Sequence, residues 1–154
     1  MNKSIIRQAI LDKEIRVICG YPGIGKSFVN SINGNYIDID SIEFAKPNNS
    51  ENFNRMNENF PENYYIKVVE LLQRTDAIIL CSIHKSFRQM LTDNGIKYLL
   101  IYPTVSCKNE YIQRYMNRKS TPKWIRDQEM LWHKRNLELW FENVSPSYKD
   151  VLNP

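Results

Sequence analysis

The sequence predicts an α/β fold in three layers, a mostly parallel sheet of four or five strands flanked by helices, and three observations predict it. Short apolar runs rich in β-branched residues alternate with longer stretches of helical spacing. A glycine-rich loop follows the first apolar run directly. Turn residues punctuate the alternation, with Asn33-Gly34-Asn35 before the second run and Asn94-Gly95 after one helical stretch. Such alternation implies crossover connections, and parallel strands joined by crossovers lie buried beneath helices.

The first strand is expected over Ile15 to Cys19, and a helix continues from Ser27 through Phe28 to Ile32. Tyr36 to Ile39 forms the second strand. Residues 41–62 are rich in Asn, Glu and Phe without a clear period, which predicts a mobile flap of functional length. Pro61 precedes a helix over Glu62 to Arg74, with Tyr65, Val68, Val69 and Leu72 on one face. Ala77 to Cys81 is the third strand, a helix begins near Lys85, and Tyr98 to Tyr102 is the fourth strand. Beyond Asn109 a long helical region is broken at Ser120-Thr121-Pro122. Its Tyr111, Ile112, Tyr115 and Met116, and then Trp124, Ile125, Met130, Leu131, Leu137, Leu139 and Trp140, are expected mainly in the core.

At 154 residues the chain reads as one domain, 1–154, large enough for a core of its own. Its formal charge of +4 suits anionic ligands, but the basic residues are not clustered as on a dedicated nucleic-acid surface. No apolar run is long enough to span a bilayer, and Met1 to Lys13 is amphipathic and charged, unlike a signal peptide. Cys19, Cys81 and Cys107 are odd in number and lack CxxC spacing, which argues against disulfides and zinc and for a reducing cytoplasm. Cys19 and Cys81 are expected as small core hydrophobes.

Gly20-Tyr21-Pro22-Gly23-Ile24-Gly25-Lys26-Ser27 satisfies the P-loop (Walker A) pattern G-x-x-x-x-G-K-[ST]. Glycines let backbone amides curl around a phosphate, Lys26 reaches the β- and γ-oxygens, and Ser27 ligates Mg²⁺. The strand before it and the helix after it give the order an anion site requires, so Gly20 to Phe28 is the expected nucleoside triphosphate site and the fold that of a P-loop NTPase.

Asp38-Ile39-Asp40-Ser41 ends the second strand, where open parallel sheets bind ligands. Asp40, nearer the strand end, is the first candidate for binding Mg²⁺ or the acceptor, or for taking an acceptor proton. Asp38 is the second, and one or both could instead cap a helix starting at Ser41. No Walker-B carboxylate closes the third strand, which ends at Ser82 with Asp76 at its opposite end. Arg88 is placed to grip an acceptor phosphate, and Arg114 and Arg118, four apart on a helix, to offset charge on the transferred group. Lys123 and Arg126 are weaker lid candidates. His84 reads as a loop or capping residue without a catalytic role, and His133 as structural.

Together these residues resemble a family of small phage-encoded P-loop nucleotide kinases related to adenylate kinases. The likeness runs through Gly20 to Ser27, Asp38 to Ser41, Phe60-Pro61-Glu62-Asn63-Tyr64, Ser82-Ile83-His84 with Arg88, Tyr102-Pro103, Glu110 to Arg118, and Tyr148-Lys149-Asp150-Val151. The resemblance implies a sheet in adenylate-kinase order, an acceptor-binding flap, a lid at about 114–126 bearing Arg114 and Arg118, and the cytoplasm of a host cell. Such proteins tend to carry Arg-Gly-Asn where this chain has Arg118-Lys119-Ser120, and a strand before the tail is hard to see around Val144 to Tyr148.

The expected function is ATP- and Mg²⁺-dependent transfer of a γ-phosphoryl group to a small acceptor, first a nucleoside monophosphate. A hydroxyl acceptor, sugar or polynucleotide 5′-end, with Asp40 as base is the alternative. So is a non-catalytic nucleotide-binding regulator, which the missing Walker-B carboxylate permits. Nucleic acid enters only as a 5′-end acceptor, and no membrane partner is expected.

Overall fold

The computed structural model describes residues 15–27, 35–46, 56–141 and 148–152. The helix expected over Phe28 to Ile32, the break at Asn33-Gly34, the middle of the flap and the segment Met1 to Lys13 lie outside them.

Five strands form one sheet: β1 (Val17–Gly20), β2 (Tyr36–Asp38), β3 (Ile78–Cys81), β4 (Tyr98–Pro103) and β5 (Tyr148–Leu152). Their order is β2-β3-β1-β4-β5 and every pairing is parallel. β1, β3 and β4 are buried at every position, as strands covered on both faces must be. That burial explains why they read as unbroken apolar runs. β2, at an edge, is only half-buried.

The fifth strand, hard to see in the sequence, is present, in register with β4 from Leu99↔Tyr148 to Pro103↔Leu152. Lys149 and Asp150 interrupt its apolar pattern, so pairing with a buried neighbour and not its own periodicity defines it.

The helices are α1 (Ile42–Ala45), α2 (Glu62–Arg74), α3 (Lys85–Asp93), α4 (Lys108–Asn117) and α5 (Pro122–Phe141), with one 3₁₀ turn over Val105–Cys107. α2 buries Tyr64 and Val68, whereas Tyr65 and Leu72 are only partly covered. Tyr64, one position before the Tyr65 that the spacing selected, was missed. Its hydroxyl donates to the Ile39 carbonyl at 2.8 Å and accepts the Ser82 amide at 3.1 Å, tying together the carboxyl ends of β2 and β3. Arg16 closes the other end of α2, its guanidinium donating to the Leu72 and Thr75 carbonyls left open there.

α5 corrects the sequence reading most. Its protein-facing stripe is Gln128, Trp132, Asn136 and Leu139, while Met130 is 82% exposed, and Met116 on α4 and Leu131, Leu137 and Trp140 on α5 are exposed as well. His133, taken as structural, is also exposed. A helix lying on a surface buries one stripe; Leu139 is buried and Trp124 and Ile125 pack partly covered against the core as expected, but two amides share the stripe with Trp132, so apolar spacing alone did not mark its bounds. Trp132 packs edge-on against Tyr21 at 5.5 Å, lies beside Tyr111 at the same distance, and donates its indole N–H to the Val105 carbonyl at 2.8 Å.

The turn from α4 to α5 stores a local cost. The Lys119 amide donates to Met116 and the Ser120 amide to Tyr115, the Schellman arrangement that ends a helix in the left-handed region. Lys119 occupies that position at φ 57, where glycine carries no Cβ penalty. Lys119→Gly is expected to stabilise the protein by about 1 kcal/mol, raising the thermal midpoint by about 2–4 °C in a melting experiment.

All three cysteines are buried, and none is joined in a disulfide. Cys19 and Cys81 face each other in register across β1 and β3. Burial pushes the Cys19 thiol up to about 12 and raises Cys81 well above its ordinary value, so both act as core hydrophobes. Among the described residues, no helix is long and apolar enough to cross a membrane.

Candidate functional site

β1 lies between β3 and β4, so the chain leaves it toward one edge of the sheet and returns on its other side. The crevice outside the carboxyl ends at such a reversal is where open α/β sheets hold ligands. Here it is a cleft of about 1230 Å³, lined by the loop after β1, the ends of β2 and β3, and faces of α3, α4 and α5. Single small-molecule pockets run to roughly 300–1,000 Å³, so the cleft has room for two substrates.

The loop enters as sequence reasoning placed it, with one division of labour the motif did not show. Gly20, Pro22, Gly23, Gly25, Lys26 and Ser27 line the cleft. Tyr21 and Ile24 do not: their side chains are buried in the core, so they can serve a ligand only through their backbone. Phe28 lies outside the described residues. The Tyr21 amide donates to the Ile101 carbonyl at 3.0 Å, which fixes the loop to β4.

Gly23 is required twice over. Its φ is +81, and a Cβ there would stand 2.7 Å from Tyr115 Cε1. The close approach follows from two contacts that pull α4 down on the loop: Tyr115 donates its hydroxyl to the Pro22 carbonyl and Arg114 Nη1 donates to the Gly23 carbonyl, each at 3.0 Å. Arg114 also pairs with Glu110, and its guanidinium stands 4.7 Å over the Tyr111 ring. The "lid" arginines thus differ in kind. Arg114 is anchored, whereas Arg118, at the end of α4, is exposed and lines the cleft.

Lys26 Nζ donates to the Gly20 and Tyr21 carbonyls at 2.7 and 3.3 Å, folded over its own loop. Burial lowers its pKa from the ordinary lysine value, and Arg118 acts the same way, while Asp38 opposes them. A partly dehydrated ammonium beside curled amides is suited to an oxyanion.

The carboxylates fall in the reverse of the expected order. Ser27 Oγ donates to Asp38 Oδ2 at 2.8 Å, whereas Asp40 Oδ1 accepts the Ile42 amide at 3.0 Å at the start of α1. The capping alternative therefore describes Asp40, and the metal-site candidate beside Ser27 is Asp38. Position along a strand could not reveal this, because it depends on where the loop after β1 brings Ser27.

Arg88 lines the cleft but is almost wholly buried, its Nε donating to the Ile83 carbonyl at 2.9 Å. Lys123 and Arg126 are not among the lining residues. α5 contributes Gln128, Arg135, Glu138 and Leu139, of which sequence reasoning had named only Leu139, and that as core. Gln128, Arg135 and Leu139 recur at seven- and eleven-residue spacing around Trp132, and polar groups on the stripe of a buried tryptophan were the available signal. Six basic side chains (Lys26, Lys85, Arg88, Arg114, Arg118, Arg135) against three acidic ones (Asp38, Asp40, Glu138) give the cleft a positive field.

A hydroxyl and a carboxylate are hard oxygen donors of the kind Mg²⁺ takes, usually one or two from protein with phosphate and water completing the set. Ser27 with Asp38 fits that pattern. Among the described residues there is no group of three His, Cys, Asp or Glu able to cage a metal alone. Compared with known proteins, the chain matches no family model and no curated sequence.

Proposed function

We propose that the protein is an ATP- and Mg²⁺-dependent phosphotransferase with a P-loop NTPase fold, acting on a small phosphate-bearing acceptor. One observation carries this reading: Lys26 and the Ser27–Asp38 pair stand at the open end of β1, in a cation-rich cleft large enough for donor and acceptor together. The strand order β2-β3-β1-β4-β5 supports the adenylate-kinase-like arrangement that the sequence resemblance implies.

In this reading the loop amides and Lys26 hold the β- and γ-phosphates, and Ser27 and Asp38 hold Mg²⁺, which when bound offsets phosphate charge. Arg114, fixed to the Gly23 carbonyl, keeps α4 over the loop, and Arg118 reaches the transferred group from the rim. Arg88 and Arg135 line the cleft from α3 and α5 and are assigned to the acceptor's phosphate. A nucleoside monophosphate is the first acceptor to test.

The test is mass spectrometry after incubation with ATP, Mg²⁺ and a panel of phosphorylated acceptors. One acceptor should gain a phosphate; ATP left intact with all of them contradicts the reading. Asp38→Ala should raise the Mg²⁺ concentration for half-maximal rate at least about tenfold. Asp40→Ala should change it little while costing about 1 kcal/mol of stability through the lost Ile42 contact.

A further inference from the structure

The acceptor side of the cleft holds a hydrogen-bonded chain that nucleotide binding does not use. Ser82 Oγ donates to Ser41 Oγ at 2.7 Å, and Ser41 Oγ lies 3.1 Å from His84 Nε2. With Ser82 donating into Ser41, the Ser41 hydroxyl is free to donate to His84 Nε2 in the tautomer that carries its ring proton on Nδ1. Ser41 follows β2 and the other two follow β3, and all three line the same cleft as Lys26 and Ser27. Ser41 is 7% exposed, unusual for a serine hydroxyl, and Phe60 stands edge-on to the imidazole at 5.0 Å. The two carboxylates of this edge are engaged elsewhere, Asp38 with Ser27 and Asp40 with the Ile42 amide.

We propose that this chain is a proton relay for an alcohol: the acceptor's nucleophile is a hydroxyl, deprotonated through Ser41 by His84, in a small molecule whose phosphate is held by Arg88 and Arg135. The inference rests on the phosphotransferase reading and names its acceptor chemistry. A phosphate monoester oxygen, with a second pKa of about 6, has already lost its proton at neutral pH and needs no relay. An alcohol has not, and needs a base within reach.

In the step, the acceptor hydroxyl replaces Ser82 as donor to Ser41. As its oxygen bonds to the γ-phosphorus, its proton passes to Ser41 and the proton of Ser41 passes to His84 Nε2. The bond from the γ-phosphorus to the β–γ bridging oxygen breaks, that oxygen keeps the electron pair, and the nucleoside diphosphate leaves. His84 then releases its proton to water.

The surroundings of His84 keep it ready to accept. His84 reaches solvent on one side, and the protein packed on its other side lowers its pKa first; Arg135 from α5 and Arg88 from α3 act in the same direction. Its place at the amino end of α3 also disfavours imidazolium. Asp38, Asp40 and Lys85 are the other charged groups on this side of the cleft.

The experiment supplies the full chain with ATP, Mg²⁺ and, separately, nucleoside 3′-monophosphates, nucleoside 5′-monophosphates and hexose phosphates, and identifies the product by phosphorus NMR. A new phosphomonoester is expected. His84→Ala, and His84→Gln, which keeps an acceptor for Ser41 but takes no proton, should each lower kcat about 100-fold or more, with the KM for ATP within about twofold. A phosphoanhydride product, or His84 variants with unchanged kcat, overturns the relay and leaves the phosphotransferase reading standing. Transfer to no acceptor, with ATP left intact, overturns the relay and the phosphotransferase reading together.

Discussion

Lys26→Ala is expected to abolish phosphoryl transfer, lowering kcat by at least about 10³-fold, while the folded protein persists. The ammonium is the only loop group that can follow the γ-phosphoryl as charge moves toward the leaving oxygen; the amides are fixed. Its present partners are the Gly20 and Tyr21 carbonyls, of which the second also accepts the Ile24 amide, so little of the fold depends on it. Burial already works against its charge, which further limits the stability lost on substitution. A coupled assay for ADP release, with a thermal melt as control, measures both halves. Turnover at the wild-type rate would remove the loop from the chemistry, and a collapsed melt would make Lys26 a structural residue instead.

Trp132→Ala is expected to cost about 3–5 kcal/mol, the range for removing a large aromatic from a core. Trp132 is fully buried, touches Tyr21 and Tyr111, and satisfies the Val105 carbonyl through its indole N–H. These contacts fasten α5 to the underside of the glycine-rich loop, because Tyr21 sits within that loop. The thermal midpoint should fall by about 10 °C or more. Trp140→Ala, on the same helix but 58% exposed, should change stability by less than about 0.5 kcal/mol. Equal losses for the two tryptophans would contradict the assignment of the buried stripe.

The contrast between these tryptophans shows how far the sequence could be read. β1, β3 and β4 were legible because full burial demands unbroken apolar runs, and their bounds fall within two residues of those expected. The turn after β1 was legible because its glycines mark a tight loop, and Gly23 and Gly25 take positive φ there. Helix α3 was legible at both ends, starting at Lys85 and closing at Asn94 with Gly95 at φ 67.

What stayed hidden depends on tertiary neighbours. β5 is defined by its pairing with β4, not by its own pattern. α5 presents amides beside Trp132 to the protein and leaves Met130, Leu137 and Trp140 outside, so composition could not tell its faces apart. The pairing of Asp38 with Ser27 depends on how the loop after β1 meets β2, and the link from Ser82 through Ser41 to His84 on segments some forty residues apart meeting at one end of the sheet. Spacing within a segment carries no trace of such meetings.

The most direct test of the central claim is calorimetric titration of the folded protein with ATP in the presence of Mg²⁺, repeated with Lys26→Ala. Saturable uptake of one nucleotide per chain, weakened by the substitution and by omission of Mg²⁺, is the expected result. No uptake by folded protein, or uptake indifferent to Lys26, would contradict it.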